Sequence, residues 1–73
     1  MKHPNPTIEE ILNNYFISNK CTITLKNGRI LTGVFNEQDK PSGKIIGWFF
    51  TTHFDKKRIN VPHDQIVLIE KPD

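Results

Sequence analysis

At 73 residues the chain has room for one domain, spanning residues 1–73, and for a core too small to be generously stable. Chains of this size gain from disulfides, a structural metal or self-association. Cys21 is the only cysteine, so no disulfide can close within the chain. With His3, His53 and His63 scattered, no metal set or cofactor site is expected, which leaves a homo-oligomer. The net charge of +2 is modest but unevenly placed: no Asp or Glu occurs from Ile11 to Asn36, where Lys20, Lys26 and Arg29 fall, and Lys56-Lys57-Arg58 form a second basic cluster.

Residues 1–6 are polar, carry Pro4 and Pro6, and read as a loose lead-in. No apolar stretch behind them has the make-up of a secretory leader, and none later has the length of a membrane span, so a cytoplasmic protein with no membrane contact is expected. Thr7 opens a helix. Thr7-x-x-Glu10 is a capping box, in which the threonine hydroxyl accepts from the third backbone N–H and the glutamate reaches back to the Thr7 N–H. Glu9 and Glu10 also suit the positive end of the helix dipole. Behind the cap, Ile8, Ile11, Leu12, Tyr15 and Phe16 form one apolar stripe that must dock on a core, and Ser18-Asn19-Lys20 end the helix.

From Cys21 the period switches to two. Cys21, Ile23 and Leu25 share one face, Thr22, Thr24 and Lys26 the other, as in a half-buried strand. Cys21 on the apolar face reads as a buried, inert thiol. Asn27-Gly28 predicts a tight hairpin of type I′, with positive φ at both residues. A second strand runs from about Arg29 to Asn36, with Gly33 marking a bend or a close backbone approach. Glu37 to Gly43 reads as a loop. A third strand, roughly Lys44 to His53, carries Ile45, Ile46, Trp48, Phe49 and Phe50 and is expected to be covered on both faces. Asp55-Lys56-Lys57 make a turn. A short fourth strand holds Ile59 and Val61, Pro62-His63-Asp64-Gln65 turn once, and Ile66-Val67-Leu68-Ile69 form the last strand. The fold class is therefore mainly β with one α-helix: an N-terminal helix followed by a five-stranded, strongly bent, SH3-like small barrel that the helix caps.

The run Ile23-x-Leu25-Lys26-Asn27-Gly28-Arg29-x-Leu31-x-Gly33-x-Phe35-x-x-x-Asp39 resembles the first motif of the Sm-like superfamily, which includes the Sm and LSm proteins and bacterial Hfq. Val61 to Glu70 has the spacing of that family's second motif, and the leading helix stands where the family has one. The resemblance implies an Sm-like barrel that holds RNA as an oligomeric ring. In such rings the fourth strand of one protomer pairs with the fifth of the next, which here means Arg58, Ile59, Asn60 and Val61 against Ile66, Val67, Leu68 and Ile69. The family's base-gripping pairs are replaced: Ser42-Gly43 stand where it has Met-Asn, Pro62-His63 where it has Arg-Gly.

Binding of single-stranded RNA needs cations for phosphate and flat rings for bases. Asp39 and His63 are carried over from the resemblance. Lys40, Lys56, Lys57 and Arg58 supply charge, and Phe54, beside a turn, is the aromatic expected on the surface, whereas Trp48 and Phe50 belong inside. No nucleophile–base spacing, phosphate-binding Gly loop or His pair appears, so no enzyme is expected. The alternative reading is an SH3-like protein-interaction or regulatory module that binds no nucleic acid.

Overall fold

In the computed structural model, residues 2–16 and 20–71 are described. The elements run β1 (Lys2–Pro4), α1 (Ile8–Asn14), β2 (Cys21–Leu25), β3 (Ile30–Asp39), β4 (Gly47–Thr52), β5 (Arg58–Pro62), a 3₁₀ turn (His63–Gln65) and β6 (Ile66–Glu70). The strands form one antiparallel sheet in the order β1-β6-β2-β3-β4-β5.

The capping box forms as the sequence requires: the Glu10 N–H donates to Thr7 Oγ1 at 3.1 Å and the Thr7 N–H donates to Glu10 Oε1 at 2.9 Å. These bonds hold the Glu10 carboxyl below the ordinary glutamate range. The helix stops at Asn14, one turn earlier than expected, because Phe16 leaves it to bridge Phe35 on β3. Of the expected stop at Ser18-Asn19-Lys20, the first two residues lie outside the described residues. Ile11 and Tyr15 are fully buried, and Ile8, Leu12 and Phe16 pack around them, so the stripe docks on the sheet.

The inner face of the sheet supplies the rest of the core: Cys21, Ile23 and Leu25 from β2, Phe35 from β3, Trp48 and Phe50 from β4, Val61 from β5, Ile66 and Ile69 from β6. Phe35 packs edge-on against Phe50 and Trp48, with ring centroids 5.1 and 5.7 Å apart. Such edge contacts add about 0.5–1.5 kcal/mol each to the area they bury. Burial pushes the Cys21 thiol up to about 12, which keeps it protonated and inert.

Gly33 marks the closest backbone approach. A Cβ there would lie 1.9 Å from Thr51 O and 2.9 Å from Thr52 Cα. A bulge between Phe35 and Glu37 then bends β3 across β4. A second bulge, where Leu25 meets Ile66 and Thr24 meets Leu68, steps past Val67, so Ile66 and Ile69, three apart rather than two, both face inward.

Four expectations need correction. The lead-in is ordered: Lys2–Pro4 form β1, opposite Leu68–Glu70, and the Asn5 N–H donates to Val67 O at 2.9 Å. There are thus six strands among the described residues, and the sheet does not close, because β1 takes the outer side of β6 that β5 would need. The Asn27-Gly28 turn is not type I′. Only Gly28 has positive φ, at +89°, and with Gly28 N–H to Leu25 O and Leu25 N–H to Arg29 O, both 2.9 Å, it is a three-residue loop with a glycine bulge. Finally, β3 continues to Asp39 and β4 begins only at Gly47, so the loop lies at Lys40–Ile46, and Ile46 is 53% exposed rather than covered.

Candidate nucleic-acid interface

The β3–β4 register decides which turns meet. Gly33 lies opposite Thr52, and one step further the His53 N–H donates to Thr32 O at 2.8 Å. This sets the β2–β3 turn, carrying Arg29 and Ile30, beside the β4–β5 turn, which runs from His53 to Lys57. Between the two tips lies an open groove of about 350 Å³. Its floor is Leu31 and Ile59, both half-buried. Its walls carry Phe54, 98% exposed, and Ile30, 67% exposed, with Arg29, His53, Lys57 and the acidic Asp55 around them.

The β4–β5 turn is locked from inside. The Thr52 hydroxyl donates to the Asp55 carboxylate, and the Lys57 N–H donates to Thr52 Oγ1 at 3.1 Å. The Thr52 hydrogen bond in particular holds the Asp55 carboxyl below the usual range, so the aspartate is ionised beside Lys57. Lys56 takes φ +57° to complete the turn. The lock tightens the backbone while the Phe54 ring projects into solvent, a flat apolar surface with cations near it.

Six of the seven residues expected to bind RNA fall into two groups at opposite ends of the β4–β5 hairpin, and the seventh, Arg58, opens β5 opposite Thr51. Phe54, Lys56 and Lys57 sit at the tip, beside or in the groove. Asp39, Lys40 and His63 sit at the other end, where Asp39 faces Gly47 and Gly47 faces Pro62. Several strand residues at about 3.4 Å each separate the two ends. Three of the expected residues are already committed within the fold. Asp39 Oδ2 accepts from the Asn60 amide at 2.7 Å. Arg58 pairs with Glu37 and lies over the Phe49 ring, 4.2 Å from its centroid. His63 Nδ1 accepts the indole N–H of fully buried Trp48 at 3.1 Å. Lys40 is exposed in its loop.

Arg29, Ile30 and His53 were missed from the sequence. Each is ordinary by itself, and only the register between β3 and β4 brings them to Phe54. A signal was present in the two basic turns, which any antiparallel order of β2 to β5 would set side by side.

The expected ring contact divides in the same way. Arg58, Ile59, Asn60 and Val61 lie on β5, an open edge of the sheet. Ile66, Val67, Leu68 and Ile69 lie on β6, bonded to β2 on one side and to β1 on the other. A neighbour's strand could reach that second side only by displacing β1. Among the described residues no three His, Cys, Asp or Glu converge as a metal site, and no helix is long and apolar enough to cross a membrane.

No protein-family model, curated protein or solved structure matches the chain.

Proposed function

We propose that the chain is a non-enzymatic, Sm-like protein with an open, bent sheet that binds single-stranded RNA in the groove between its two hairpin tips. The observation that carries this reading is the meeting of a fully exposed Phe54 with Arg29, His53 and Lys57 on one concave surface. A base stacks on the Phe54 ring, and phosphates on either side take the guanidinium and ammonium groups. The Sm-like motif at residues 23–39 supports RNA as the polymer and a bent small barrel as the parent of the sheet, with β1 added at its edge.

Fluorescence anisotropy with a labelled single-stranded RNA, titrated across salt, tests it. Binding is expected to weaken with salt at a log–log slope of about −0.7 for each phosphate contacted. F54A is expected to lose roughly 5- to 150-fold in affinity, the equivalent of about 1–3 kcal/mol of stacking. Because the ring is almost wholly exposed, the melting temperature should not move. Binding without salt dependence, or an F54A variant that binds as wild type does, would sink the proposal.

A second reading is favoured by one feature. Ile30 and Phe54 project above Leu31 and Ile59, so an apolar side chain of a protein partner also fits the groove. That reading expects binding that is indifferent to nuclease and to salt.

A further inference from the structure

The sheet has two edges, and they are not alike. β1 is three residues long and includes Pro4, which has no N–H to offer. β5 is five residues long, and only Pro62, at its end, lacks a donor. Its hydrogen-bonding parity is fixed by bonds at both ends of the β4–β5 ladder: the Thr52 N–H donates to Lys57 O at 2.8 Å and the His63 N–H donates to Ile46 O at 3.0 Å. Bonded and non-bonded pairs alternate along an antiparallel ladder. With Phe50 opposite Ile59 and Trp48 opposite Val61, the residues of β5 bonded to β4 are Ile59 and Val61. The N–H and C=O of Arg58 and Asn60, and the C=O of Pro62, therefore point away from the sheet.

We propose that this edge pairs antiparallel with the same edge of a second copy, about a two-fold axis at Asn60. In that register each Asn60 N–H meets the other copy's Asn60 C=O, and each Arg58 N–H meets the other copy's Pro62 C=O. Pro62 supplies that acceptor but no donor, so the Arg58 C=O stays with water. Ile59 lies opposite Val61 on the face that is buried in each copy, so the half-buried Ile59 gains an apolar neighbour and the core faces stay on one side. Charge disfavours the registers centred nearer Arg58. Centred on Asn60, the two Arg58 residues lie four strand positions apart, about 13 Å, beyond the screening length of physiological salt. Centred on Ile59, they would be about 7 Å apart, and centred on Arg58 they would face each other. Within each copy Arg58 is drawn back by Glu37 and Phe49, which leaves the edge open. A heterologous contact onto β6 would have to displace β1, whereas this isologous one disturbs nothing already bonded.

An edge this short buries less than the roughly 1,200 Å² of a standard interface, so the dimer is concentration-dependent. Sedimentation velocity from about 10 µM to 1 mM is expected to show the 8.5 kDa chain passing to a particle of twice that mass. Asn60→Pro removes the central donor but no bond to β4, since that N–H faces outward. It also removes the Asn60–Asp39 side-chain bond, so it is compared with Asn60→Ala, which loses that bond alone; relative to that control it is expected to abolish the dimer and to leave the circular dichroism and melting temperature in place. Asn60→Cys places thiols on the axis, with Cα atoms about 5.5 Å apart, within disulfide range. Mild oxidation is expected to cross-link it far faster than a Lys40→Cys control, and the buried Cys21 does not compete. A wild type that stays monomeric at 1 mM, a particle larger than a dimer, a folded Asn60→Pro variant that still dimerises, or equal cross-linking of the two cysteine variants overturns the proposal. Should Asn60→Pro not fold, the cross-linking comparison decides.

Discussion

His63 was expected to touch RNA, and the structure gives it work inside the fold, so His63→Ala separates the two roles. The Trp48 side chain is fully buried, and its indole N–H donates to His63 Nδ1 at 3.1 Å. With the imidazole gone, the donor is left unpaired in an apolar surrounding, at a cost of about 1–3 kcal/mol. The two rings, 6.3 Å apart between centroids, also lose contact, so a total near 2 kcal/mol is expected. A chain of this length is stable by about 4–11 kcal/mol, so the loss is a substantial share. In urea, with a slope near 1 kcal/mol/M for so small a domain, the midpoint should fall by about 2 M. A double-mutant cycle with Trp48→Phe isolates the bond, because that variant removes the donor and the orphan together. A coupling of about 1 kcal/mol or more is expected. RNA affinity, measured where each variant remains folded, should not change. A midpoint shift below about 0.3 M, or a coupling near zero, would refute the structural assignment.

Three further perturbations follow from the same geometry. Gly33→Ala drives a methyl group into the Thr51 carbonyl, 1.9 Å from the oxygen, and backbone rather than a flexible side chain must move; a loss of about 3 kcal/mol or more is expected by urea titration, whereas Gly28→Ala meets nothing within 4 Å and should cost only about 1 kcal/mol for its positive φ. Asp55 is depressed in the folded chain, so its contribution to the β4–β5 turn is complete above the ordinary aspartate value of 3.8 and is lost as pH falls through the lower folded value; a carbon-13 NMR titration should find that lower midpoint, with the Lys57 amide moving in step, and a midpoint at or above 3.8 contradicts the Thr52 bond. Cys21 is raised, so the stability it confers is complete below pH 9.0 and declines as pH rises toward about 12, and a thiol-specific disulfide reagent at pH 8 should label it only at the rate of unfolding; fast labelling of the native protein would show that the thiol is not buried.

What could be read from the sequence was what depends on neighbours in the chain. The Thr7–Glu10 box, the stripe from Ile8 to Phe16, the alternation at Cys21–Leu25 and the tightness at Gly33 are local patterns, and each appears in the structure. Fully exposed Phe54 and fully buried Trp48 and Phe50 follow from the same logic. What could not be read was pairing across the chain. β1 has no alternation of its own and carries a proline; it is a strand because β6 offers an unpaired edge to it. That same pairing turns an expected closed barrel into an open sheet. The bulge at Val67 changes which residues of β6 face inward, and no local pattern announces it. The groove was only half legible, since Phe54 and Lys57 were visible as candidates while Arg29, Ile30 and His53 acquire meaning from the β3–β4 register.

Charge by itself does not distinguish a ligand-binding group from a structural one, and the β4–β5 hairpin shows why. At one end Asp39 is held by Asn60, and His63 by Trp48 and by the backbone of Ile46, while Lys40 is exposed in its loop. At the start of β5, next to the turn, Arg58 is held by Glu37 and Phe49. At the far tip the bonds run through Thr52, Asp55 and the backbone, and the side chains of Phe54, Lys56 and Lys57 are left to solvent. A hairpin fixed at its base and in its turn presents the tip without ordering cost, because the backbone entropy has already been lost on folding. Substitutions at the tip should therefore change binding and spare stability, and substitutions at the base should do the reverse. Stability and affinity that fell together across both sets would mean that the groove and the core are one cooperative unit, and that the tip is not an independent binding surface.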